Sequence, residues 1–439
     1  MKKFTIKTFG CQMNKDDSER ISGLLSGAGY APSDGDGDAD VIIFNTCCVR
    51  QNADDRLYGQ AAALKQLKAA RPDVLIAIGG CLAQTDGETV LKRLPHVDLV
   101  FGTHNVARLP ELIAAAASQK HSVLEILEGS DSFTSDLPAV RKHPWHAWLP
   151  ITVGCDNFCT YCIVPYARGR EKSRPIEKLI AHCRELAEEG VKEVTLLGQN
   201  VNSYGRDLYG GPRFAELLAA VSAVEGLDRI RFTTSHPKDL TEQVIDIVAG
   251  SANVCPHFHL PLQSGSDRVL ERMRRQYTAE GYLEIVDSIR GKVADAAITT
   301  DIMVGFPGET EEDFQATLDV VRAARFDQAF TFIYSHRPGT AASKYRCQVT
   351  AAAAGERFER LIEEQNRNSL VNNQRLVGAN MPVFVEGRSK KDNYRLAGRT
   401  PSNKLVHLKG GDELIGHTLD VWMREAFTWF LIGETAETA

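Results

Sequence analysis

The chain has 439 residues, 43% of them hydrophobic and 25% charged, with a formal net charge of −6. That length allows two or three domains with real cores, and no apolar run is long enough to span a bilayer. Ten cysteines are too few here for a disulfide scaffold, so clustered thiols point to metal or catalysis in a reducing compartment. The N-terminus, "MKKFTIKTFGCQMN", lacks the apolar core and cleavage site of a signal peptide, and a cytoplasmic location is expected. The acidic total argues against a large nucleic-acid footprint while leaving room for a local basic patch.

In chain order, "KFTIKTF" (3–9), "VIIFN" (41–45) and "VLIAIGG" (74–80) are β-branched apolar runs, each followed by a helical stretch. Strands alternating with helices predict a doubly wound parallel α/β domain. The segment 33–40, "SDGDGDAD", is a solvated turn. Cys11, Cys47 and Cys81 each follow one of the three strands. Carboxyl ends of parallel strands line a common crevice, so these cysteines are expected to converge. Each taken singly is as well explained as a buried thiol. Cys48 adjoins Cys47, and neighbours at a strand end point in different directions, so one of the two is the expected ligand.

Residues 119–146 carry little pattern and are expected to be a linker. Six strands are predicted at 147–153, 193–198, 229–234, 254–260, 296–304 and 328–334. Helices at 176–190, 213–225, 239–250, 278–291 and 311–325 separate most of them, which suggests a partial (βα)6 barrel. Polar residues gather at the strand ends: Gln199, Asn200, Ser235, His236, Gln263 and Glu309 exceed what turns require. The first of these loops is "GCDNFCTYC" (154–162), with Cys155, Cys159 and Cys162 spaced Cys-x3-Cys-x2-Cys. Structural zinc takes four ligands, and no neighbouring fourth is at hand. A cubane iron–sulfur cluster also normally takes four thiolates, so three leave one iron open to a substrate.

A charged amphipathic helix is predicted over 355–376. Residues 381–432 read as a small all-β barrel. From Glu386 to Lys409 there are seven Lys/Arg against two Asp/Glu. This is either a solvated face or, with Tyr394 beside the cations, an RNA contact.

Cys-x3-Cys-x2-Cys on the first loop of a βα barrel resembles the radical S-adenosylmethionine (SAM) enzymes. The resemblance implies that Cys155, Cys159 and Cys162 hold a [4Fe–4S] cluster whose open iron chelates SAM. It also implies that reductive cleavage of SAM releases a 5′-deoxyadenosyl radical. Tyr161 corresponds to an aromatic that packs near the adenine, and "IMVGFPGE" (302–309) resembles a strand motif at the same place. With the flanking segments, "TFGCQMNKDDSE", "NTC", "GGC", "GCDNFCTYCIVPYARGREKSRP", "LLGQNVNSYG" and "RFTTSHP" resemble the methylthiotransferases, in particular those acting on C2 of N6-isopentenyl(dimethylallyl)adenosine just 3′ of the anticodon in tRNA.

That family implies four regions: an N-terminal domain over 1–118, a linker over 119–146, a radical SAM core over 147–376 and a TRAM-like RNA-binding domain over 378–439. Cys11, Cys47 and Cys81 would hold a second [4Fe–4S] cluster, and two SAM would be used. Cofactor contacts are expected from Tyr161, Gln199, Ser235, Gln263 and Glu309. RNA contacts are expected from Arg388, Lys390, Lys391, Arg395 and Arg399. The implied partners are tRNA, an electron donor such as flavodoxin or ferredoxin, and a sulfur donor of unknown identity; a monomer with no membrane partner is expected.

Two relatives are rivals: one modifies threonylcarbamoyladenosine in tRNA, the other an aspartate on a ribosomal protein. Gln12, Met13 and Asn14 favour the isopentenyl type. A noncatalytic, metal-stabilised RNA-binding protein would explain the cysteines and basic tail, but not polar residues at six successive strand ends.

Overall fold

The computed structural model describes residues 1–47, 51–119, 121–129, 133–390 and 395–435, with backbone only at 51–53. Cys48, Lys391 and Tyr394 therefore lie outside the described residues. No helix among them is long and apolar enough to cross a membrane.

The first unit is a six-stranded parallel sheet built from β1 (Lys3–Thr8), β2 (Ala31–Pro32), β3 (Val41–Thr46), β4 (Leu75–Gly80), β5 (Leu99–Phe101) and β6 (Val123–Glu125), in the order β2-β1-β3-β4-β5-β6. Strands buried on both faces need apolar residues at every position, and "VIIF" in β3 supplies them. Ile42 and Phe44 pack on one side with Leu57, Ala61 and Leu64 of α2 (Gln51–Ala70), after α1 (Gln12–Gly27) in the chain. Val41 and Ile43 pack on the other with Ile21 and Leu25 of α1. Helices α3 (Cys81–Arg93) and α4 (Leu109–Ser118) complete the two layers. The segment expected as a linker begins differently: Val123–Glu125 extends the sheet as β6, held by parallel pairing to β5.

The second unit is a partial barrel. Its parallel strands are β7 (His146–Pro150), β10 (Glu193–Leu197), β11 (Arg229–Phe232), β12 (His257–His259), β13 (Ala297–Val304) and β14 (Gln328–Ile333). They form two three-stranded sheets, linked by a bridge between Ile230 and Val254. The strand expected over 254–260 is interrupted because Pro256 has no N–H for a ladder. Between β7 and β10, the two-residue strands β8 (Thr152–Val153) and β9 (Lys172–Ser173) form an antiparallel ribbon at the base of the cysteine loop.

The outward residues of the barrel strands make the largest core. The inward residues are polar. Arg231 Nε donates to Glu193 at 3.1 Å, and both arginines Arg229 and Arg231 donate to the carbonyl of Thr400. Thr400 belongs to the last unit, a closed barrel of β15 (Asn380–Arg388), β16 (Arg395–Arg399), β17 (Leu405–Lys409), β18 (Thr418–Ala426) and β19 (Leu431–Thr435). Its 400–403 turn closes one end of the larger barrel, leaving the carboxyl ends of the strands as the mouth. The connecting helix, Ala351–Gln374, starts at Thr350, whose hydroxyl accepts from the Ala353 amide.

Candidate active site at the meeting of two cysteine loops

Cys11, Cys47 and Cys81 follow β1, β3 and β4, which are neighbours in the sheet. Cys11 caps α1 and Cys81 begins α3. Buried Asn14 ties these ends together. Its Nδ2 donates to Asn45 Oδ1 at 3.2 Å and to the Thr46 carbonyl at 3.0 Å, and its Oδ1 accepts from the Cys11 amide at 3.3 Å. Thr46 in turn donates to the Gly79 carbonyl at 2.6 Å. Gly10, at φ +139°, admits no side chain, since a Cβ there would lie 2.5 Å from Cys47 Cβ. Cys47 and Cys81 are buried while Cys11 keeps exposed surface. A hydrogen bond from Cys47 is the main cause holding the Cys11 thiol down at about 6; burial opposes it and the Arg168 cation assists.

The second trio lies on the loop between β8 and β9. Gly154, at φ +83°, lets the loop pass Arg170, whose carbonyl would sit 2.1 Å from a Cβ. The Cys155 amide donates to the Gly169 carbonyl at 3.2 Å, and the Cys162 amide to the Cys159 carbonyl at 2.9 Å. Thr160 anchors the loop to the barrel: its amide donates to the Met273 carbonyl, its hydroxyl to the Arg272 carbonyl, and its own carbonyl accepts from Ala342. The three thiols are near enough for their charges to interact. Burial pushes Cys155 up to about 11 and Cys162 up to about 12. Asn157 donates to Cys155 Sγ at 3.5 Å and Arg275 to Cys159 Sγ at 3.6 Å.

Among the described residues, no three Cys, His, Asp or Glu side chains close to the spacing of a single metal ion. A lone zinc draws its thiolates to about 2.3 Å from one centre. Each trio offers three thiolates, the donor type of a cubane iron–sulfur cluster, and leaves a fourth ligand position open.

Tyr161 packs against a cluster containing Val269, Met273 and Phe306, so the cysteine loop and the "GFPGE" turn are in contact. At the barrel mouth several buried polar atoms lack a protein partner: Thr152 Oγ1, Gln199 Oε1, Asn200 Oδ1, Ser235 Oγ and both polar atoms of Asn202. Buried groups of this kind normally have partners, and a ligand rich in donors and acceptors fits them. Gln263, at φ +65°, links the strands through its backbone: its amide donates to Asp301 and its carbonyl accepts from Met303. Glu309 is engaged within the protein, accepting from the Gly305 amide at 3.0 Å and from Arg357 at 2.8 Å.

The two trios meet. Cys81 is buried with Ile163 and Ala167, residues of the stretch that follows Cys162. Thr103 donates to the Ala167 carbonyl at 2.9 Å. Arg168, at the end of α5 (Val164–Arg168), pairs with Asp17 at 2.8 Å, while Arg337 pairs with Asp54 at 3.2 Å on the other flank. A cavity of about 250 Å³ lies behind the first pair, lined in part by Asp16, Asp17, Thr103, Ser135 and Arg168.

On the C-terminal barrel, Lys390 is exposed. Arg388 donates to Asp412 at 2.7 Å, and Arg395 is half-buried. Arg399 donates to the Asn403 carbonyl at 2.9 Å and faces Glu386 at 3.5 Å.

Sequence reasoning missed Asn157, Arg168 and Arg275. Arg275 sits in the run "RMRRQY", where charge alone suggests a solvated face. Arg274 at φ +57° turns the chain there, and Arg275 is buried.

Family models match residues 3–102 (uncharacterized protein family UPF0004), 149–321 (radical SAM superfamily) and 374–436 (TRAM domain). The tRNA-2-methylthio-N(6)-dimethylallyladenosine synthase of Streptomyces coelicolor is 50% identical, over 99% of this chain and 87% of the relative. That of Carboxydothermus hydrogenoformans is 48% identical over 98% and 99%. Among solved structures, the radical SAM methyltransferase TsrM from Kitasatospora setae aligns with a TM-score of 0.56 at 14% identity, over 78% of this chain and 75% of that one. The cobalamin-dependent radical SAM enzyme OxsB aligns at 0.52 and 12%, over 83% and 56%. At these identities the structures speak to the fold alone.

Proposed function

The chain belongs to the family of tRNA-2-methylthio-N(6)-dimethylallyladenosine synthases, and on that premise we propose how its residues divide the work. It is a radical SAM methylthiotransferase that places a methylthio group on C2 of N6-dimethylallyladenosine in tRNA, with SAM and [4Fe–4S] clusters as cofactors. Cys155, Cys159 and Cys162 hold the cluster that binds SAM, and Cys11, Cys47 and Cys81 hold the second. When bound, SAM and its cluster would supply hydrogen abstraction from the strong, nonacidic C2–H bond, and the second cluster would carry the sulfur that a separate donor provides.

The observation that carries this reading is the burial of Cys81 against Ile163 and Ala167. Abstraction and sulfur delivery must reach one carbon, so their two sites must face a common space. Thr160 and Gly154 hold the first loop at the barrel mouth. Gln199 and Ser235 offer unpartnered polar atoms to SAM. Tyr161 and Phe306 wall its adenine side, and Gln263 shapes the mouth through its backbone. Glu309 acts one step removed, by fixing the turn that carries Phe306.

The region from about residue 378 onward contributes RNA contact, with Lys390, exposed on the last barrel, as its main cation; Arg388, Lys391 and Arg395 belong to the same basic stretch of the sequence. Division into an N-terminal sheet domain, a radical SAM core and a TRAM domain follows the same reading. So do a monomer, a cytoplasmic location and a flavodoxin- or ferredoxin-type reductant. Nucleoside mass spectrometry of tRNA from a strain lacking the gene tests the reading. We expect N6-dimethylallyladenosine to accumulate at the expense of its 2-methylthio form; an unchanged 2-methylthio level contradicts it.

A further inference from the structure

Arg168 is a buried cation standing between the two cysteine trios. Its Nη2 meets Asp17 Oδ2 at 2.8 Å, and the two side chains are 6% and 8% exposed. Asp17 rides on α1, the helix capped by Cys11. The residue before Arg168 packs on Cys81, and the residue after it accepts the amide of Cys155. Its charge reaches the thiols of both Cys11 and Cys81.

Burying a guanidinium costs several kcal/mol, and a buried ion pair can often be replaced by apolar packing without loss of stability. Fastening α5 to α1 therefore does not by itself call for an arginine. A site of three thiolates does call for positive charge nearby. A fixed cation stabilises the more negative, reduced state of an iron–sulfur centre, and charge near the sulfurs is one of the levers on its potential.

We propose that Arg168 is a positioning residue with an electrostatic role: it holds the Cys155–Cys162 loop against α1 and sets a fixed positive charge beside the Cys11–Cys47–Cys81 site, raising the reduction potential of the cluster bound there. This rests on the reading of the two trios as cluster ligands.

The test starts from full-length protein with Cys155, Cys159 and Cys162 changed to Ala, so that one reconstituted cluster remains. Its midpoint potential is read by an EPR-monitored redox titration. Arg168→Gln should shift the potential negative. Arg168→Lys, which keeps the charge, should restore most of it. Asp17→Asn removes the countercharge and should shift it positive, so the inference stays testable if one variant fails to fold.

In the cluster-free full chain, hydrogen exchange over 164–175 and α1 should speed up in Arg168→Gln. In the six-cysteine enzyme, the ratio of methylthio product to 5′-deoxyadenosine should fall about tenfold, the order expected when reacting groups are displaced by a fraction of an ångström to an ångström. A potential that ignores all three substitutions overturns the electrostatic role, even if exchange rises. Absence of any cluster in the parent variant overturns the ligand reading, and this inference with it.

Discussion

Glu309 and Arg357 meet at 2.8 Å with side chains 2% and 9% exposed, which clamps the turn after β13 to the helix leading into the last domain. Removing one partner of a buried pair leaves the other uncompensated. Arg357→Ala should therefore cost about 3 kcal/mol in denaturant unfolding. It should also weaken SAM binding, because Phe306 loses its fixed seat. Burial already raises the Glu309 carboxyl above its usual range despite Arg357. A carboxyl raised in the folded state favours folding at low pH and loses that advantage as pH rises. The deficit of Arg357→Ala against the unaltered protein should therefore shrink between pH 8 and pH 5. A deficit independent of pH would show that Glu309 is not left charged.

The cysteine trios are separable by iron count. Changing Cys155, Cys159 and Cys162 together to Ala should leave about four irons per chain and no reductive SAM cleavage. Changing Cys11, Cys47 and Cys81 together should also leave about four irons, with SAM cleavage retained. Eight irons in either variant would refute the assignment. Cys47→Ser should lose the second cluster and Cys48→Ser should not; the reverse would exchange their roles.

Acid should destabilise the fold through buried histidines. Burial holds His146 down at about 4, outweighing the Glu193 carboxylate 3.9 Å away, and holds His236 down at about 2. In the unfolded chain these rings titrate near 6.5. Between pH 6.5 and about 4 the unfolded state gains protons that the folded state refuses, so stability falls as pH falls. Above pH 6.5 the effect is absent. His146→Gln keeps a partner for Thr195, which His146 meets at 3.1 Å. It should remove on the order of 1–3 kcal/mol of the acid-induced loss. An identical acid limb in thermal melts would assign that loss elsewhere.

RNA contacts on the last domain should differ residue by residue. Lys390 is exposed, and Lys390→Ala should reduce the slope of log affinity for tRNA against log salt by roughly 0.7–0.9, the yield of one phosphate contact. Arg399 is tied to Asn403 and Glu386. Its loss should destabilise the 400–403 turn and leave that slope nearly unchanged. Truncation after Gly378 is a poorer test than these substitutions, because it strips Arg229 and Arg231 of the Thr400 carbonyl inside the barrel.

The two α/β units were legible because their signals are local. "VIIF" and "VLIAIGG" permit little besides buried strands, and the cysteines and polar clusters fall at strand ends. β6 was not legible: three residues, "VLE", carry no periodicity and become a strand only through pairing with β5. The strand broken at Pro256 shows the opposite case, a readable signal overruled by a missing N–H. The six cysteines could be grouped from spacing and topology. Arg168, Arg275 and Glu309 could not be assigned their contacts, because Asp17, Cys159 and Arg357 are distant in sequence and meet them only through tertiary packing.

Turnover by the reconstituted full-length chain tests the division of labour between the two cysteine trios. The assay supplies tRNA bearing N6-dimethylallyladenosine, SAM, sulfide and a low-potential reductant, and analyses nucleosides by mass spectrometry beside 5′-deoxyadenosine. The unaltered chain should yield 2-methylthio-N6-dimethylallyladenosine. The chain with Cys11, Cys47 and Cys81 replaced should yield 5′-deoxyadenosine without that product. Methylthio product from the replaced chain, or none from the unaltered chain while 5′-deoxyadenosine accumulates, would contradict the proposed function.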